Sequence, residues 1–221
     1  MERQIVKTDV DLKRDVEDEL AWDPVINPAS VGVAVRDGVV TVSGQLETYA
    51  EKHAVENALR RVSGVKAIAM ELDVKLAPEH QRSDTDIANA AQMALRWNTL
   101  VPIDQIRLTV DKGWITLQGE VDWDYQRRSA EKAVRPLFGV KGISNEITLK
   151  PKTAPGDVVR RIEAALRRQA EREVKHMQVE VDGSTVTLRG EVRSWHERQA
   201  AQGAAWSAPG VRTVINELRV A

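Results

Sequence analysis

Asp182–Val220 reads DGSTVTLRGEVRSWHERQAAQGAAWSAPGVRTVINELRV, and this stretch decides the fold. Asp182-Gly183 separates two runs of period two: Met177, Val179 and Val181 before it, Val186, Leu188 and Val192 after it. Residues that tolerate positive φ between two alternating runs predict a β-hairpin. Ser194-x-x-Glu197 then opens an alanine-rich segment, the pattern of a capping box at a helix start. Ala200, Ala201, Ala204, Ala205 and Ala208 form its apolar stripe, small enough for close approach to a sheet. Pro209-Gly210 ends that helix, and a last alternating run predicts a third strand.

Working outward, the same pattern occurs twice more. Arg36–Val74 reads RDGVVTVSGQLETYAEKHAVENALRRVSGVKAIAMELDV, and Asp111–Leu149 reads DKGWITLQGEVDWDYQRRSAEKAVRPLFGVKGISNEITL. Gly44, Gly119 and Gly190 close the second strand at spacings of 75 and 71 residues, and Gly64, Gly139 and Gly210 repeat those spacings before the last strand. Gly38, Gly113 and Gly183 mark the hairpin turns. Two markers at matching offsets identify an internal repeat. A helical segment precedes each hairpin, at Asp9–Ala21, Asp84–Trp97 and Gly156–Ala170; Thr8 and Ser83 are the expected caps of the first two. Val10, Leu12, Val16 and Leu20 are the expected apolar positions of the first helix, and Ile68, Met70, Leu72 and Val74 those of the last strand.

The predicted fold class is α+β: three tandem α-β-β-α-β modules over residues 1–77, 78–150 and 151–221. Each is a three-stranded mixed sheet with two helices on one face. The linkers are Ala77–Arg82 and Pro151–Gly156. Thr41, Ser43, Thr116, Gln118, Thr187 and Arg189 occupy the other, wet face.

Composition excludes several functions. A net charge of −1 argues against a nucleic-acid-binding protein, so no nucleic acid is expected as a partner. With no cysteine there is no disulfide, thiol nucleophile or thiolate metal site. MERQIVKTDVDLKRDVEDEL at the N-terminus is charged from its first residues. That predicts no signal peptide and a cytoplasmic protein, at most peripheral at the inner membrane. Charge is uneven: residues 8–77 hold 13 acids and 8 bases, 78–150 hold 10 of each, and 151–221 hold 9 acids and 12 bases.

The pattern Asp-Gly-x-Val-Thr-Leu-x-Gly-x-Val, followed by a helix and Pro-Gly-Val-x-x-Val-x-Asn-x-Leu-x-Val, resembles the BON domain. The best match is at Val186–Gly190 and Pro209–Val220, with diverged copies in the other two modules. The resemblance implies a non-enzymatic protein associated with osmotic and envelope stress, binding phospholipid surfaces or other ligands. Many members of the family are exported; the charged N-terminus departs from that pattern.

No catalytic constellation is legible, no cofactor is expected and no metal site is expected. His53, His80, His176 and His196 fall at unrelated repeat positions, so each is expected at the surface. There is no nucleotide-binding glycine loop or nucleophile elbow. The Asp-Gly pairs have too few oxygen donors nearby for calcium. Asn145 and Asn216 share the repeat position of Met70 on an inward phase, where an amide is expected to tie the sheet to its surroundings.

Six tryptophans carry the functional expectation. Trp22 and Trp97 are equivalent and expected to be structural. Trp195 and Trp206, with Arg167, Arg168 and Arg172 of the basic third module, are the candidate lipid contacts. Trp114 and Trp123 are the candidate contacts between modules. The leading expectation is a stress-associated binding protein with anionic phospholipid as partner. The alternatives are a scaffold or homo-oligomer that binds another protein, and a small-ligand or cation-binding protein.

Overall fold

The computed structural model describes residues 7–150, 162, 164 and 177–220. The first module runs α1 (Asp9–Trp22), β1 (Val31–Arg36), β2 (Val39–Leu46), α2 (Tyr49–Arg61) and β3 (Ala67–Val74). The second repeats it with α3 (Asp84–Trp97), β4 (Ile106–Asp111), β5 (Trp114–Val121), α4 (Asp124–Val134) and β6 (Gly142–Leu149). The third contains β7 (Met177–Asp182), β8 (Thr185–Val192), α5 (Trp195–Trp206) and β9 (Thr213–Val220). Of the expected Gly156–Ala170 helix only Ile162 and Ala164 are among the described residues; both are helical.

Each sheet has the order first, second, third strand. The hairpin pair is antiparallel and the pair across the helix is parallel, giving the expected mixed sheet. Register is identical in the three copies: Val42 faces Met70, Leu117 faces Asn145 and Leu188 faces Asn216. Three separate cores result. In the first, Leu12, Val16 and Leu20 of α1 and Val55, Ala58 and Leu59 of α2 cover Val40, Val42 and Leu46. Each fully buried aliphatic side chain contributes about 1.5–3 kcal/mol. Ile162 is buried in the third core.

Helical periodicity corrects three expectations. Val10 lies two residues before the Leu12–Val16–Leu20 stripe, about 200° away around the helix, and is 79% exposed. Trp22 and Trp97 lie two residues beyond Leu20 and Leu95 and are likewise turned outward. The third hairpin also differs by one position: β7 ends at Asp182 and β8 starts at Thr185, so Gly183-Ser184 forms the turn.

Gly44 and Gly119 show why the second-strand glycine recurs. Their φ values are 146° and 143°, and a Cβ would lie 2.1 Å from the carbonyl oxygen of Ser30 or Gln105. Only glycine allows that approach. Thr8, Ser83 and Ser194 cap their helices as expected, accepting from the backbone N–H groups of Asp11, Asp86 and Glu197, and Thr48 does the same for α2 with Glu51.

Candidate functional site

The first residues of each second helix reach the next module. Tyr49, at the start of α2, packs on the second core. Burial, then the nearby Glu131 carboxylate, raises its phenol above its ordinary pKa. Arg127 of α4 lies 4.9 Å over the Trp206 ring of α5, a cation–π contact. Trp195, at the start of α5, packs on the first core and donates from Nε1 to the Val65 carbonyl at 2.8 Å. Module 1 therefore contacts module 2, module 2 contacts module 3, and module 3 contacts module 1. The second helices form a head-to-tail ring.

That ring places several singled-out residues. Trp195 and Trp206 are part-buried in contacts between modules of this chain. His53 is half-buried beside α4 rather than surface-exposed; burial, then Arg135, pushes its pKa below the usual imidazole range. Trp114 stays half-exposed on the outer face of its own sheet, donating to Ser144 Oγ at 2.9 Å. Trp123 caps α4, where Gln126 Oε1 accepts from its backbone N–H at 3.0 Å. Arg167, Arg168 and Arg172 lie outside the described residues.

The two outward indoles occupy matching tips. Trp22 is 83% exposed and Val25 58%; Trp97 is 81% exposed and Leu100 54%. In each tip the residue after the tryptophan holds the turn: Asp23 Oδ1 accepts from the Val25 N–H at 3.1 Å, and Asn98 Oδ1 from the Leu100 N–H at 3.0 Å. The next residue, Ile26 or Val101, is buried and anchors the tip. An Asx turn thus presents one indole and one aliphatic side chain to water, twice. The sequence pattern Trp-Asx-x-Val/Leu was available to find this feature.

Four polar side chains tie elements together within their modules. Asn145 Nδ2 donates to the Arg127 carbonyl at 2.9 Å, and Asn216 Nδ2 to the Arg198 carbonyl at 3.2 Å, tying helix to strand. Asp9 and Asp84 each accept from two backbone N–H groups of their own hairpin turn, at 2.7–3.0 Å. His80 stacks on Phe138 at 4.9 Å, while His196 is exposed on α5. Among the described residues no three His, Asp or Glu side chains could hold a metal ion. No described helix is long and apolar enough to cross a membrane.

The fold and its surfaces define a tandem-module protein whose distinctive features are junctions and apolar tips. The BON domain family model matches residues 8–75, 83–151 and 156–221, and the chain belongs to that family. It is similar to osmotically-inducible protein Y of Escherichia coli (strain K12), 26% identical over 129 residues, 57% of this chain. The match spans 64% of that relative's length. Solved structures of CdsD, a structural protein of the type III secretion system of Chlamydia trachomatis, align at 13% identity. Its C-terminal domain covers 97% of this chain and 100% of that one, at a TM-score of 0.26. The second covers 96% and 92%, at 0.24. At those scores the likeness carries no argument.

Proposed function

We propose that this protein is a stress-associated, non-catalytic binding protein that attaches to anionic phospholipid surfaces through its paired tips. The observation that carries this reading is the repetition of one device: an exposed tryptophan and an exposed aliphatic residue, held by the same turn, in two modules. An indole with an adjacent aliphatic group suits the headgroup boundary, where one edge is apolar and the other wet. Because the device occurs in two modules of one chain, two such tips are available to engage one surface. Stress association rests on the family and on the name of the E. coli relative. The anionic preference rests on the excess of bases over acids in residues 151–221.

The test is vesicle flotation of the full-length chain and of the Trp22→Ser/Trp97→Ser variant. Phosphatidylglycerol-containing and pure phosphatidylcholine vesicles are compared at low and moderate salt. The parent should float with the anionic vesicles, less as salt rises. The double variant should lose at least about tenfold in partitioning, roughly 1.4 kcal/mol. Because both indoles are exposed, the variant should melt like the parent. Parent-like flotation of the variant, or no flotation by the parent, would sink the proposal.

A further inference from the structure

Where the three second helices meet, an open cleft of about 600 Å³ lies between them. Arg60 and Arg61 reach it from α2, Arg128 from α4, and His196, Gln199 and Gly203 from α5, so all three modules contribute. No carboxylate is among the described residues that line it. Each arginine has a carboxylate partner outside that lining. Glu56 pairs with Arg60 at 2.5 Å, Glu19 and Asp23 with Arg61 at 2.5 and 3.6 Å, and Asp124 with Arg128 at 2.6 Å. Each guanidinium has five N–H donors, and these pairs use only part of that set. The ion pairs thus hold three arginines in place around a space that no described carboxylate lines.

Gly203 is an independent sign that the space is kept open. Its repeat position holds Asn57 in module 1 and Lys132 in module 2, and it stands inside a helix. A glycine there costs about 1 kcal/mol relative to alanine. Packing does not impose it, since the nearest atom to an added Cβ is Arg128 Nη1 at 3.5 Å, an ordinary contact. A longer side chain would project beside that guanidinium, into the cleft.

We propose that this cleft binds a small solute bearing two or more phosphate groups. Planar guanidinium forks match phosphate oxygens two at a time, and three of them converge here with an imidazole. The volume falls in the range of about 300–1,000 Å³ typical of small-molecule sites. Because the walls come from three modules, the solute would clasp the ring. The proposal is independent of the membrane tips.

Calorimetric titration of the full-length chain with inorganic pyrophosphate and with ADP tests it, alongside melting curves. Both probes should bind, raise the melting temperature and weaken with added salt. Arg60→Gln and Arg128→Gln should each weaken binding by about tenfold. Gly203→Leu, which removes no charge, should weaken it further, while Gly203→Ala should bind like the parent. No heat from either probe at millimolar concentration overturns the proposal, as does parent-like binding by Arg128→Gln. If Gly203→Leu does not fold, Arg128→Gln decides, because that side chain is half-exposed and Asp124 keeps its pair with Arg127. Flotation of the same variants separates the sources of phosphate. Loss of phosphatidylglycerol flotation by Arg128→Gln, with neither soluble probe bound by the parent, would assign the phosphate to lipid and overturn the proposal.

Discussion

His53 stands where the sister modules carry Arg128 and Gln199, a set that reads as a solvated helix face. The ring turns that face against α4, and the imidazole becomes half-buried with Arg135 nearby. Burial first, then Arg135, lowers its pKa from 6.5, while Glu56 and Glu131 oppose the shift. The unfolded chain therefore binds the proton more readily than the folded one. The stabilising contribution is full above 6.5 and is lost as the pH falls toward the lowered folded value. His53→Gln, the residue module 3 uses, should lessen the drop in melting temperature between about pH 7 and pH 5. An unchanged slope would remove His53 as a source of that dependence. The junction between modules 2 and 3 likewise explains why Trp206, in the place of Arg60 and Arg135, is not an exposed anomaly: Arg127 of the neighbouring module covers it.

At the scale of elements, most of the fold was legible. Alternating valines and leucines, the capping hydroxyls and the two glycine series are local signals, and local geometry satisfies them. One element-level device was overlooked. The first carboxylate of α1 and of α3 reaches the hairpin: Asp9 binds the N–H groups of Asp37 and Gly38, and Asp84 those of Lys112 and Gly113. Its signal was present, since both aspartates stand at the same offset from their turns, but a helix-start carboxylate is equally explained by the helix dipole. Asp84→Ala would leave two turn donors without a charged acceptor. It should cost about 1.5–3 kcal/mol, read as a lower urea midpoint at unchanged slope. A change below about 0.5 kcal/mol would show that water replaces the carboxylate.

For the whole molecule, Trp195 is the closing contact. Its indole joins residues 130 positions apart by donating to the carbonyl of Val65, a fully buried member of the first module's core. Trp195→Ala should cost about 3 kcal/mol and uncouple module 3, so that one calorimetric transition divides into two. A single transition at the parental temperature would mean that the remaining junctions suffice.

The sequence alone determined the three-module division, the order of elements within each module, the caps and the family. Each of these depends on residues within one repeat, where periodicity and turn chemistry act locally. Only the tertiary structure decided that Trp195 and Trp206 are spent between modules, and that arginines from α2 and α4 share one cleft with α5. A repeat pattern records which face of a helix is apolar. It does not record which neighbouring module will meet the opposite face, because that choice depends on how the modules pack in three dimensions.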